Sequence, residues 1–166
     1  MKNFAILMSL CLALVLLGCS KKNNDNDSEV KASIKMQVGE VSWQADKAIV
    51  IGTSYVDGKH NLTITGANQN FNGETSSFSL IFSQAAEIGV GNYTLSAASD
   101  GMATLTKVNG KTYLVGQGIS DIALALQITE VSGTGNSKKL KGKFQGQLKG
   151  PTSSDRVGVT GEFASF

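Results

Sequence analysis

Side chains that could perform catalysis or bind a metal are scarce in this chain. It contains one histidine, His60, and two cysteines, Cys11 and Cys19. A zinc site needs several nitrogen or sulfur ligands, and a serine nucleophile needs a base such as histidine beside it. His60 comes directly after the predicted turn Val56-Asp57-Gly58-Lys59, so we expect it on an exposed hairpin. These residues predict no metal, no cofactor and no enzymatic activity.

Carboxylates leave one catalytic alternative open. The chain has 13 acidic side chains, and glycosidases use two carboxyl groups about 5–9.5 Å apart. Most of the acids fall in predicted turns or at strand ends, where a carboxylate is simply solvated. The sequence does not bring two of them together, so a hydrolase is the weakest function class.

Three lysines form the clearest charged feature of the surface. Lys141, Lys143 and Lys149 alternate with apolar residues such as Phe144 and Leu148. Alternate residues of a strand face opposite sides, so the three ammonium groups should project together. One interpretation is contact with an anionic surface, such as lipid headgroups or acidic glycan. The simpler interpretation is a charged strand that keeps a sheet edge soluble.

Composition excludes other classes of protein. With 15 Lys and Arg against 13 Asp and Glu, the net charge of +2 is too small for a typical nucleic-acid binder. The chain is 41% hydrophobic, enough to form a core. It has 19 glycines but one proline, a balance typical of antiparallel strands joined by tight turns.

The first 18 residues predict a signal peptide. Residues 4–18 are almost wholly apolar after Lys2, and as a helix they would reach roughly 22 Å, short of the ~30 Å bilayer core. The sequence Leu16-Leu17-Gly18-Cys19 resembles the lipobox of bacterial lipoproteins. The resemblance implies cleavage before Cys19 and acylation of its thiol, hence anchoring to a membrane by lipid. Because the other cysteine would leave with the signal peptide, no disulfide is expected.

Residues 19–29 predict a polar tether that follows the lipidated cysteine. The stretch 20–29 contains no apolar residue and cannot bury surface. Ser20, rather than aspartate, after the lipidated cysteine resembles the sorting pattern of outer-membrane lipoproteins. We therefore expect a location at the bacterial outer membrane, on the periplasmic side or at the cell surface.

Residues 30–166 predict one all-β domain, an antiparallel sandwich or barrel of about ten strands. Apolar residues recur with period 2 throughout, and Asp57-Gly58 and Asn109-Gly110 are signals for two-residue type I′ hairpins. Trp43 is expected in the core, and residues 66–75 are expected to form a polar loop with Phe71 exposed. The predicted strands are 32–38, 41–45, 47–55, 60–66, 77–83, 92–96, 102–107, 111–116, 121–131, 138–148 and 157–165.

Four motifs occur in an order that resembles small Bacteroidota lipoproteins of unknown function. They are an opening hairpin around Trp43, a Gly-x-Tyr-x-Leu element, and two closing Gly-x-Phe strands. In this chain they span Val38–Ala45, Ile88–Leu95, Leu140–Gly146 and Val159–Phe163. The resemblance implies a compact β domain on a lipid anchor and carries over no catalytic residues.

Two function classes stay open beside the hydrolase. The first is a non-catalytic envelope lipoprotein that binds a protein or glycan partner through its loops. The second is a calycin-like carrier of a small apolar ligand, with Phe78, Leu80 and Phe82 lining a hollow barrel. A wide apolar cavity would favour the carrier, and a packed interior would favour the binding module.

Overall fold

A computed structural model describes residues 32–71, 73–135, 138–152 and 154–166. These residues contain no α-helix and form one strongly curled antiparallel sheet of eleven strands, which confirms the all-β prediction. The expected signal peptide, Cys19 and the tether lie outside the described residues. The strands are β1 Ser33–Val38, β2 Val41–Gln44, β3 Lys47–Val56, β4 Lys59–Phe71, β5 Glu74–Gln84, β6 Gly91–Leu95, β7 Gly101–Val108, β8 Lys111–Gly116, β9 Leu124–Ser132, β10 Lys139–Lys149 and β11 Arg156–Ala164.

The sheet curls so that two parts of it face each other across the core. We call the part with order β6-β9-β10-β11-β1-β2 the front and the part with order β8-β7-β5-β4-β3 the back. They join where Lys149 of β10 pairs with Leu114 of β8. They also join where the chain passes from β2 to β3, and there the Asp46 N–H donates to the carbonyl of Ala67. Each part therefore has one buried face and one outward face.

Two hairpins have the predicted turn geometry. Asp57 and Gly58 have φ values of 51° and 77°, and Asn109 and Gly110 have 52° and 71°. Positive φ at both central residues is the property of a type I′ turn. The short turns fix the pairing of β3 with β4 and of β7 with β8.

The prediction of a ten-residue loop at 66–75 is wrong. β4 continues to Phe71 and β5 begins at Glu74, so only two residues of the chain separate the strands. The polar end of β4 is held by the corner between β2 and β3, because the Asp46 carboxylate accepts the N–H of Gln69. Phe71 is 5% exposed and packs in the core, so its predicted exposure is also wrong.

The interior between front and back is filled by large side chains. The rings of Phe78 on β5 and Phe144 on β10 stack with their centroids 4.9 Å apart. Leu80 and Phe82, the other residues expected to line a hollow barrel, are buried in the same cluster. Trp43 is 1% exposed, as predicted for a core residue.

Candidate functional site

The outward surface of the front, which we call the front face, carries two rows of side chains that run across six strands. The strand register aligns each residue with its neighbour in the next strand. The row with charges is Gln44, Lys35, Glu162, Lys143, Gln127 and Asn92. The adjacent row, which is uncharged, is Ser42, Gln37, Thr160, Gln145, Ala125 and Thr94.

Three adjoining clefts lie over these rows. Their volumes are about 680, 570 and 330 Å³, and Thr160 lines all three. Gln37 is shared by the first and second clefts, and Gln145 by the second and third. We call this continuous depression of the front face the trough.

The floor of the trough is made of residues with little or no side chain. Gly158 lies on the outward side of β11, and a Cβ added there would have no atom within 4 Å. Ala125 lies two strands away on β9 and lines the second and third clefts. The depression exists because longer side chains on neighbouring positions rise around these small ones.

The amides around the trough are largely free to bind another molecule. Ser42 Oγ donates a hydrogen bond of 2.9 Å to Oε1 of Gln37. Within the described part of the chain, no hydrogen bond engages the side-chain amides of Gln127 or Gln145. A free amide offers both donors and acceptors at one position. The trough can therefore make several hydrogen bonds to a polar ligand.

Positive and negative side chains of the front face lie next to each other and partly cancel. Glu162 lies between Lys35 and Lys143 in the register of three neighbouring strands. Directly opposite residues have Cβ atoms about 4.5–5.5 Å apart, so the carboxylate offsets part of the potential of both ammonium groups. The charged row is therefore only weakly positive.

The predicted lysines face outward, and one of them has a close acidic partner. The Nζ of Lys141 lies 3.2 Å from Glu130 Oε2 and 4.2 Å from the centre of the Phe166 ring. Lys149 lies opposite Arg156 near the other end of β10. Contact with an anionic surface stays a prediction for Lys141, Lys143 and Lys149. The ion pair of Lys141 with Glu130 reduces the positive charge that these lysines present to such a surface.

His60 lies on the hairpin of β3 and β4 as expected, but it is half-buried where we expected it to be exposed. It lies opposite Tyr55 across the hairpin, and packing of the two rings, 4.7 Å apart, leaves His60 half-buried. Nearby, the ammonium of Lys138 pairs with Glu87 and lowers the pKa of that carboxyl group. Among the described residues, no three or more His, Cys, Asp or Glu side chains come together as a metal site would require.

The outward surface of the back differs from the front face in its chemistry. Its two central rows contain no charged residue and no amide. Ile81 and Met102 are neighbours there and are about half exposed. The rows are Gly52, Thr63, Ile81, Met102 and Gly116, then Val50, Thr65, Ser79, Thr104 and Leu114.

Sequence reasoning placed binding in the loops or on three lysines of β10, and of those lysines only Lys143 lines the trough. The alternation of polar residues along β10 and β11 shows which side chains face outward. The rows, however, join residues more than a hundred positions apart, such as Gln37 and Thr160. Only the pairing of β1 with β11 brings these together, and no local sequence signal specifies that pairing.

Comparison with known proteins adds no relative. No family model, no curated protein and no solved structure matches the chain. In the described ranges, the structure has no helix with the length and apolar character needed to cross a bilayer.

Proposed function

We propose that the chain is a lipid-anchored, non-catalytic binding module of the bacterial cell envelope, placed at the outer membrane, and that the trough is its binding surface. The observation that carries this proposal is the trough itself, in which the amides of Gln37, Gln127 and Gln145 converge from β1, β9 and β10 and small residues leave space between them. The lipobox that ends at Cys19 supports the anchor, and the polar stretch 20–29 supports a tether between anchor and domain.

The chemistry of the trough supports binding rather than hydrolysis. Glu162 is the only acid among the described residues that line the three clefts. Glycosidic cleavage by two carboxylates needs a second acid at a defined distance. A lone carboxylate between two lysines is suited to accept hydrogen bonds from a ligand.

The packed interior supports the binding module over the calycin-like carrier. A carrier of this type needs an apolar cavity of several hundred Å³ inside the barrel. Phe78, Phe144 and Trp43 occupy the space between front and back, each with less than 2% of its surface exposed. The two larger clefts described above are instead open depressions of the outer surface, and polar side chains such as Gln37 and Thr160 line both of them.

Photo-crosslinking in cells tests the proposal. A photoreactive amino acid replaces Thr160 in the trough or, as a control, Met102 on the back, in the full-length chain expressed in its native envelope. We expect a crosslinked envelope component at position 160 and none at position 102. Equal adducts at both positions, or none at position 160, would overturn the assignment of the trough as the binding surface.

A further inference from the structure

We propose that the ligand of the trough is an uncharged, hydroxyl-rich oligosaccharide that lies across the strands of the front face. This inference rests on the proposed function and identifies the class of ligand. It follows from four properties of the trough: the pairing of its strands, the chemistry of its side chains, its charge and its floor.

The first property is that the four central strands beneath the trough, β9, β10, β11 and β1, are paired on both sides, so that among the described strands free edges occur only at its two ends, on β6 and β2. β11 pairs with β1 on one side and β10 on the other, and β10 pairs with β9 and β11. A peptide that binds by extending a sheet needs unpaired backbone N–H and C=O groups. The four central strands offer none, so recognition along the middle of the trough depends on side chains.

The second property is the match between amides and hydroxyl groups. Gln37, Gln127 and Gln145 each present a carbonyl oxygen and an NH₂ group, and Thr160 between them presents a hydroxyl. Each hydroxyl of a sugar is both donor and acceptor, so it can pair with either end of an amide. An extended sugar offers such groups repeatedly along its length, as the rows of the trough do.

The third property is the absence of a strong net charge. The row from Ser42 to Thr94 is uncharged, and in the other row Glu162 lies between Lys35 and Lys143. Desolvating a charged ligand without a partner of opposite charge is unfavourable. A neutral ligand avoids this penalty, whereas a polyanion that lay along the charged row would have to pass Glu162 between the two lysines.

The fourth property is the shape of the floor. Gly158 on β11 and Ala125 on β9 leave two low apolar points on either side of the β10 glutamines, and the C–H face of a sugar ring can lie against either of them. Six strands at a spacing of about 4.8 Å make the rows roughly 24 Å long. This length suits an extended chain of several sugar units rather than a single one.

The test uses the full chain in detergent micelles and a panel of immobilised polysaccharides. The neutral members are mannan, xylan and laminarin, and the acidic member is polygalacturonate. We expect binding to at least one neutral member that persists at high salt. Binding to polygalacturonate alone, or no binding to any neutral member, would overturn the inference.

Two pairs of variants locate the binding. Gly158→Trp fills the trough, whereas Gly52→Trp adds the same side chain on the back, where a Cβ likewise has no neighbour within 4 Å. We expect at least tenfold weaker binding for the first and a change of less than twofold for the second. Gln145→Ala should weaken binding severalfold, and Gln117→Ala, in the turn after β8, should not.

Both tryptophan variants must retain the β-sheet circular dichroism spectrum and the melting temperature of the unmodified chain. A variant that lost binding because it had unfolded would be recognised by these two measurements. If both folded variants bind as the unmodified chain does, the inference is overturned. A protein crosslinked at position 160 without any binding to neutral glycan would overturn this inference and leave the proposed binding module standing.

Discussion

The indole N–H of Trp43 donates a hydrogen bond of 2.6 Å to the hydroxyl of Ser76, and both residues are buried. Trp43 belongs to β2 at the edge of the front, and Ser76 belongs to β5 in the back. The bond therefore crosses the core and ties the two curled parts of the sheet together. Buried polar groups in native proteins are almost always paired, and this pair satisfies both partners at once.

Removing the hydroxyl group of Ser76 should destabilise the domain. Ser76→Ala leaves the indole N–H buried without an acceptor, which costs about 1–3 kcal/mol of the free energy of unfolding. Urea denaturation followed by the fluorescence of the single tryptophan measures this loss. Ser54→Ala, at an exposed position of β3, is the control and should change stability by less than about 0.5 kcal/mol. Equal effects of the two substitutions would contradict the role of the Trp43 bond.

Two glycines of β11 should respond differently to the same substitution. A Cβ at Gly161 would lie 2.4 Å from the ring of Phe144, whereas a Cβ at Gly158 would have no neighbour within 4 Å. Gly161→Ala should therefore lower the free energy of unfolding by about 1–3 kcal/mol through overpacking. Gly158→Ala should leave it unchanged or raise it slightly, because the unfolded chain loses freedom. The urea concentrations at the midpoint of unfolding distinguish the two variants, provided that the dependence of the unfolding free energy on urea is unchanged. Equal destabilisation would show that the contact with Phe144 does not limit substitution at Gly161.

Much of the fold could be predicted because each strand carries its own signal. Alternation along β10 correctly separates buried Leu140, Phe144 and Leu148 from outward lysines. The Asp-Gly and Asn-Gly turns fix two hairpins from adjacent residues alone. The alternation of apolar residues and the residue types of a turn depend only on neighbours in sequence. They can therefore be recognised without knowing which distant strands pair.

Features that depend on irregular or long-range pairing could not be predicted. The register of β9 against β10 shifts by one residue, so Glu130 pairs with Lys141 while Ile128 pairs with Gly142. Strict alternation would have placed Glu130 on the buried side, and its ion pair with Lys141 was missed. The same limit applies to the trough, because its rows depend on the pairing of β1 with β11.

The ion pair between Lys111 and Asp155 should make the free energy of unfolding depend on pH in the acidic range. The ammonium of Lys111, 3.0 Å away, and then the hydroxyl of Thr152 hold the pKa of Asp155 below its usual value of 3.8. A carboxyl group with a lowered pKa contributes stability above its unfolded pKa, and this contribution disappears as the pH falls through the folded pKa. Lys111→Gln should raise the pKa of Asp155.

A carboxyl-carbon NMR titration measures this change. Lys47→Gln, which removes an exposed positive charge at the start of β3, serves as the control and should leave the Asp155 titration unchanged. An unchanged Asp155 pKa in the Lys111 variant would show that this pair does not exist in solution.

The lipid anchor predicted by the lipobox has a direct chemical test. Cys19→Ser removes the thiol that would carry the diacylglycerol, so the variant should lack acyl label and stay uncleaved or become soluble. Metabolic labelling with a palmitate analogue reports the acylation. Cys11→Ser, within the expected signal peptide, is the matched control and should label as the unmodified chain does. Equal label in the Cys19 variant would refute the anchor.

The central claim is that the protein binds its ligand in the trough. Crosslinking from a residue of the trough, with and without a bulky side chain that fills it, tests this claim most directly. A photoreactive amino acid at position 145 is placed in the full-length chain, either unmodified or with Gly158→Trp or Gly52→Trp. In native envelopes, we expect an adduct in the unmodified chain and with Gly52→Trp, and its loss with Gly158→Trp, which fills the trough beside position 145. An adduct that persists with Gly158→Trp, or that never forms in the unmodified chain, would contradict the claim.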